Sequence, residues 1–134
     1  ARWVGRELAE SPTSKVRFKE FFKAFKATEK EGLQGARELA MRWLDLLPDK
    51  IHWKVYLELA DLHKRENRIP EARALYAAVN TLQPLAHQGW LERAKMEEEC
   101  GEAGLCEEAL ERGLAACGDH ESLLLRSIKL QEKS

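Results

Sequence analysis

The sequence has little that would bend a chain, cross-link it or carry it through a membrane. Only four prolines and three cysteines occur among its 134 residues, and no run of 18 apolar residues is present. β-branched residues are sparse and never alternate with polar ones, so no strand is predicted. The formal net charge of −1 gives the chain as a whole no general attraction for phosphate. These absences favour an all-helical protein without a membrane span.

The cysteines and histidines do not form a pattern typical of a metal site or an active site. Cys100, Cys106 and Cys117 are odd in number and fall inside or beside predicted helices, which favours reduced thiols in the nucleus or cytoplasm. With His120 they form one Cys-x-x-His but no Cys-x-x-Cys, so no zinc site is predicted. Neither a catalytic triad nor a glycine-rich phosphate loop is present. We therefore expect a non-enzyme without a metal or other cofactor.

What the sequence does contain is a repeat. The run Tyr-Leu-Glu-Leu-Ala at 56–60 returns as Trp-Leu-Glu-Arg-Ala at 90–94, displaced by 34 residues. A period near 34 is typical of solenoids built from paired helices. The predicted fold is therefore all-α, a right-handed superhelix of antiparallel helix pairs. Trp53 and Trp90 stand at the first packing positions of their helices, so both are predicted to be core residues.

The repeat divides the chain into predicted segments of one helical-repeat domain, which we expect to have been excised from a longer protein. In the first repeat, Ser14 is the predicted cap of a helix over 15–31, and Gly32 to Gly35 form the predicted turn. Four phenylalanines, at positions 18, 21, 22 and 25, are expected to share one face of that helix. The predicted segments are an N-terminal helix at 1–12, repeats at 15–49, 51–85 and 86–119, and a half repeat at 120–134.

Two repeats resemble known families. Residues 51–85 resemble a tetratricopeptide repeat (TPR), because Tyr56, Leu59, Ala60, Ala72, Tyr76 and Pro84 occupy its large, large, small, small, aromatic and proline positions. Residues 86–119 resemble the related half-a-TPR (HAT) repeat through 90–98 and through Leu-Glu-Arg-Gly-Leu at 110–114, although Gly113 and Gly118 replace the usual Ala and Pro. Such repeats are non-catalytic protein-interaction scaffolds. The HAT resemblance further implies an RNA-processing or RNA-turnover complex and favours the nucleus.

The TPR resemblance also implies a concave groove that receives a peptide or a helix from a protein partner. Leu57 and Asp61 replace the basic and Asn residues with which chaperone-binding TPRs clamp a terminal carboxylate, so a chaperone adaptor is not expected. A surface without a ligand remains the alternative. The implied groove positions are Lys54, Leu57, Asp61 and Lys64 in one repeat and Gln88, Leu91, Lys95 and Glu98 in the next.

A stripe of lysines is the candidate site for direct RNA binding. Steps of three and four residues place Lys15, Lys19, Lys23, Lys26 and Lys30 on one helical face. Such a line of ammonium groups could meet a phosphate backbone or an acidic peptide, or it could be a solvated outer face. We expect no exposed aromatic platform beside it, and this weighs against RNA.

The last segment has an apolar arc formed by Leu124, Leu125 and Ile128. A terminal repeat with an exposed apolar face needs a cap or a partner, so homodimerisation through this face is a further hypothesis. The functional hypotheses are thus a protein-interaction scaffold in RNA processing, a direct RNA binder, and a regulatory interaction module of a larger enzyme.

Overall fold

The structure is a computed structural model that describes residues 11–133. Over that range it contains helices and no strand, which confirms the all-α class. The predicted N-terminal helix covers residues 1–12. Residues 1–10 lie outside the described range, whereas Ser11 caps α1 and Pro12 is the first residue of that helix. The helices are α1 (Pro12–Glu29), α2 (Leu33–Leu44), α3 (His52–Arg65), α4 (Ile69–Leu82), α5 (His87–Glu99), α6 (Ala103–Cys117) and α7 (Glu121–Glu132), with a 3-10 turn at Asp49–Ile51 before α3.

Helix α1 starts earlier than the sequence suggested. The Ser11 hydroxyl, not that of Ser14, caps the helix by accepting a hydrogen bond from the Ser14 backbone N–H at 3.1 Å. Pro12 occupies the first turn, where a missing N–H costs nothing because that group has no partner within the helix. The prediction of Ser14 as the cap is therefore wrong.

The turn before α2 is also shorter than predicted. Residues 30–32 separate the two helices, and Gly32, with φ of 140°, immediately precedes α2. Gly35 lies inside the helix, where a Cβ atom would come within 3.2 Å of the Thr28 Cγ2 atom. Gly35 therefore has a helical backbone and is small because Thr28 lies close to it. The predicted turn over Gly32 to Gly35 is wrong, because only Gly32 needs a backbone conformation that favours glycine.

Residue packing divides the chain between Leu75 and Tyr76, inside α4. In the first unit, Phe21 and Phe25 are fully buried, but Phe22 is 37% exposed and Phe18 is only partly buried. Phe18 nevertheless packs against the core of this unit, so of the four phenylalanines expected to share one face only Phe22 lies at its exposed edge. That core comprises Phe21, Phe25, Ala36, Ala40, Leu47, Ile51, Val55, Leu59 and Leu62.

The second unit, from Tyr76 onward, has its own core around Trp90. This side chain is 3% exposed, and its indole N–H donates to the Pro84 carbonyl at 2.9 Å. Trp90 is thus a core residue as predicted, whereas Trp53 in the first unit is only half-buried. The core comprises Trp90, Ala94, Cys106, Ala109, Leu110 and Leu123, so α7 is anchored to it through Leu123.

Candidate functional site

In the first unit, α1 and α3 lie side by side and run parallel. Near their N-terminal ends, the Lys54 ammonium lies 4.2 Å from the centroid of the Phe18 ring. Near their C-terminal ends, the Arg65 guanidinium donates to the Glu29 carboxylate. The partners are 36 residues apart in both pairs, and only parallel helices in constant register give equal spacings at both ends.

Along this pair of helices lies an aromatic surface edged by cations. The Phe18 and Phe22 rings are 6.3 Å apart and inclined by 30°, and the Lys26 ammonium lies 5.3 Å from the Phe22 centroid. We call Phe18, Phe22, Lys26 and Lys54 the Phe18–Phe22 platform. Because the platform adjoins the lysine stripe, the expectation that no exposed aromatic surface accompanies the stripe is wrong. Phe22 is exposed because it lies one residue past the buried face of α1.

The lysine stripe is not uniform. Lys15, Lys19, Lys23 and Lys30 are exposed, but Lys26 is partly buried and forms an ion pair with Glu29 at 3.4 Å. One of the five charges is therefore already neutralised within the protein. The stripe remains a predicted binding surface.

Acidic groups accompany these cations farther along α1 and α3. Burial and the nearby charge of Asp61 raise the pKa of Glu58, although Lys26 and Arg65 oppose the shift. For Glu29, burial would raise the pKa, but the hydrogen bond and the charges of Arg65 and Lys26 outweigh it and lower that pKa. The surface thus combines an aromatic and cationic region with an acidic region.

The predicted groove residues fall into both units. Lys54, Leu57, Asp61 and Lys64 lie on α3 in the first unit, all partly buried. The other four lie on α5 in the second unit, where Gln88 is exposed and Leu91 is half-buried. Lys95 forms an ion pair with Glu92 at 3.3 Å. A role of these positions in binding remains a prediction.

Glu98, the last of these positions, is engaged by α7. Its carboxylate accepts hydrogen bonds from Arg126 and from Lys133, the latter at 3.2 Å. The hydrogen bond from Lys133 and the charges of both partners outweigh burial and lower the pKa of Glu98. Within the second unit, this position therefore fastens α7 to α5 instead of presenting a free carboxylate to a ligand.

The predicted terminal face is exposed on α7. Leu124, Leu125 and Ile128 are 37%, 52% and 50% exposed, whereas Leu123 is fully buried. A shift by one repeat, 34 residues, aligns Leu124 and Ile128 with Trp90 and Ala94 of α5. Those two residues of α5 are buried in the core together with residues of α6. What covers the face on α7 remains a prediction.

The cysteines and histidines of the second unit lie at helix ends and in the core. Cys106 is buried, and burial raises the pKa of its thiol. The His87 and His120 rings stack with centroids 3.6 Å apart. Burial, and to a smaller extent the charge of His120, lowers the pKa of His87.

Between residues 11 and 133, no three His, Cys, Asp or Glu side chains are placed to hold a metal ion. In the same range, no helix has the length and apolar character needed to cross a membrane.

The family model described as "PRP6, TPR-like domain" matches residues 46–134. The chain belongs to this family. A TPR-containing protein of Dictyostelium discoideum is 51% identical over 127 residues, which cover 95% of this chain and 10% of that protein. The chain therefore spans about a tenth of the length of the curated relative that it matches.

A solved structure agrees with the fold. The TPR domain of Sgt2 from Aspergillus fumigatus superposes with a TM-score of 0.65 at 16% identity, over 94% of this chain and 82% of that one. The TPR/HAT-like resemblance and the solenoid class of this PRP6-type chain are thereby confirmed. The likeness to Sgt2 shows the fold alone, because so few residues are shared.

The groove positions were predicted from the family pattern, whereas their neighbours on α1 were not predicted. The pairing of Lys54 with Phe18 and of Arg65 with Glu29 depends on which helices lie side by side. A repeat of 34 residues predicts that successive first helices are neighbours, but these partners are 36 residues apart, so the period alone does not predict the pairs.

Proposed function

We propose that this chain is a non-catalytic protein-interaction scaffold that binds a peptide or helix of a protein partner at the α1–α3 surface of the first unit and at the predicted groove positions of α5 in the second unit. Membership of a TPR-like family supports protein interaction as the general function. The Phe18–Phe22 platform is the observation that carries the more specific proposal. Two neighbouring rings, one of them 37% exposed, give a partner side chain an apolar surface, and the ammonium groups of Lys26 and Lys54 lie close to these rings at its edge.

The proposed setting is an RNA-processing complex, within it pre-mRNA splicing, in the nucleus. The PRP6 family match supports this setting, and the HAT-like pattern of residues 86–119 points in the same direction. A regulatory interaction module of a larger enzyme is the alternative setting, since the chain spans about a tenth of its curated relative.

The test is affinity capture with two matched double variants. Leu57→Asp with Leu91→Asp places a charge on each predicted groove face. The control, Leu46→Asp with Leu82→Asp, places the same charges on leucines that are 52% and 51% exposed and lie off those faces. Partners identified by mass spectrometry should be lost with the groove variant and kept with the control. Equal loss with both variants, at equal helical content, contradicts the proposed surface.

Direct RNA binding is a second candidate, favoured by the exposed ring of Phe22 beside lysines. Stacking of a base on an aromatic ring contributes about 1–3 kcal/mol, so Phe22→Ser should weaken single-stranded RNA binding about fivefold or more. Changing Lys19, Lys23 and Lys26 to Glu should abolish it, and the affinity should fall steeply with salt. The carboxylates of Glu29 and Glu58 near Lys26 oppose phosphate, which is why the protein partner is preferred. Salt-independent or undetectable RNA binding removes this candidate.

Homodimerisation through α7 is proposed for the exposed arc of Leu124, Leu125 and Ile128. Leu125→Glu should convert a dimer into a monomer in analytical ultracentrifugation, because a charge at a 52% exposed position disrupts an apolar contact without entering the core. A wild-type monomer at high concentration contradicts this proposal.

A further inference from the structure

A pocket of about 230 Å³ lies in the first unit, where α2, α3 and α4 meet. Its apolar lining includes Met41, Leu59, Ala74 and Leu75. Leu59 and His63 are 1% and 2% exposed and form its inner wall, whereas Ala74 and Met41 are exposed and border its mouth. The pocket therefore leads from the surface to a buried imidazole, and it shares no residue with the platform or the predicted groove positions.

The hydrogen bonding of His63 decides what that imidazole offers. Its Nδ1 atom lies 2.8 Å from the Leu59 carbonyl oxygen of the preceding turn. A carbonyl oxygen can only accept, so Nδ1 carries the proton and donates it. In the neutral ring, Nε2 is then left with a lone pair, and no partner for Nε2 is found among residues 11–133. The inner wall of the pocket thus presents an acceptor that a donor from outside can satisfy.

The volume of the pocket indicates which ligand fits best among apolar rings that carry one hydrogen-bond donor. An engineered apolar cavity of about 150 Å³ binds benzene, a ring of six heavy atoms. A pocket of about 230 Å³ is half as large again and matches the nine heavy atoms of indole. Indole also supplies a single N–H donor, and the Arg37 guanidinium that lines the pocket can lie over its ring. Phenol has a donor but leaves part of the volume unfilled.

We propose that this pocket receives the indole side chain of a tryptophan from a protein partner, with the indole N–H donating to Nε2 of His63. The ring packs against Met41 and Leu59. The site shares no residue with the predicted groove positions of α3 and α5, so partner capture can fail at either surface without failing at the other.

The test uses the methionines as reporters, because the chain has only two of them. Met41 lines the pocket, whereas Met96 is 1% exposed in the second unit. With 13C-labelled methionine methyl groups, N-acetyl-tryptophanamide should shift the Met41 resonance saturably and leave Met96 unchanged. The matched probe is N-acetyl-3-benzothienylalanine amide, in which sulfur replaces the N–H. It should bind about five- to tenfold more weakly, because it cannot donate to His63.

Three variants complete the test. Ala74→Leu fills the mouth of the pocket and should abolish the Met41 shift, whereas Ala27→Leu, at an exposed alanine of α1, should leave it intact. His63→Phe keeps a ring but removes the acceptor, so the two probes should bind it equally. The proposal is overturned by the absence of a saturable Met41 shift in the wild type, by equal wild-type affinity for both probes, or by an Ala74→Leu variant that still binds.

Discussion

Gly113 of α6 lies against Trp90 with no room for a side chain. A Cβ atom at this position would lie 2.8 Å from Cβ and 2.9 Å from Cγ of Trp90, and 3.2 Å from Cδ1 of Leu123. The nearest atom belongs to the base of the Trp90 side chain, so rotation about χ1 cannot move it away. Gly113→Ala therefore forces α5 and α6 apart.

The expected change in the free energy of unfolding follows from two opposing effects. Alanine in place of glycine inside a helix stabilises by about 1 kcal/mol, whereas overpacking a close helix contact costs about 1–3 kcal/mol. Gly104→Ala in the same helix is the matched control, because a Cβ atom there meets nothing within 4 Å. Relative to Gly104→Ala, the Gly113→Ala variant should lose about 1–3 kcal/mol of unfolding free energy.

Urea unfolding followed by far-ultraviolet circular dichroism measures both variants against the wild type. The fluorescence of Trp90 follows the second unit in a background in which the other tryptophans are changed to phenylalanine. Equal stability of the two variants would show that α5 and α6 are not in close contact at Gly113, and the packing described for the second unit would then be wrong.

Three further predictions concern single positions. Glu58→Gln should raise the melting temperature at pH 7, because the raised pKa of Glu58 means that its charged form destabilises the fold, and the gain should vanish below about pH 4.5. His87→Phe should remove a loss of stability in the second unit that develops as the pH falls below about 6.5, because a lowered pKa means that protonation favours unfolding. Asn67 has φ of 58°, so Asn67→Gly should leave thermal stability unchanged while Asn67→Val costs about 1–2 kcal/mol in urea unfolding.

The sequence predicted the helical class and most helix boundaries because both depend on local patterns. Apolar residues at three- and four-residue steps, and prolines and glycines between them, predict where helices begin and end, and both α3 and α4 lie within residues 51–85. The errors occurred where two local signals compete. Ser11 and Ser14 can both cap a helix, and Pro12 at the first helical position decides for Ser11.

The surfaces were harder to predict because they depend on neighbours that are distant in sequence. Phe22 belongs to the same amphipathic pattern as Phe21 and Phe25, and only the packing of α1 shows that it is exposed. Glu98 was expected in the groove, but it is bound by Arg126 and Lys133 of the last segment. The acceptor on His63 depends on a hydrogen bond within α3, which periodicity does not predict.

Photo-crosslinking from the Phe18–Phe22 platform tests the central proposal most directly. The photoreactive residue p-benzoylphenylalanine is placed at position 22 or, as the control, at Val16, which is 56% exposed on the same helix and about 120° away around the helix axis. If the platform binds a protein partner, illumination in cells should yield one discrete crosslinked protein from position 22 and none from position 16. Identical crosslinking patterns from both positions, or no crosslinked protein from position 22, would contradict it.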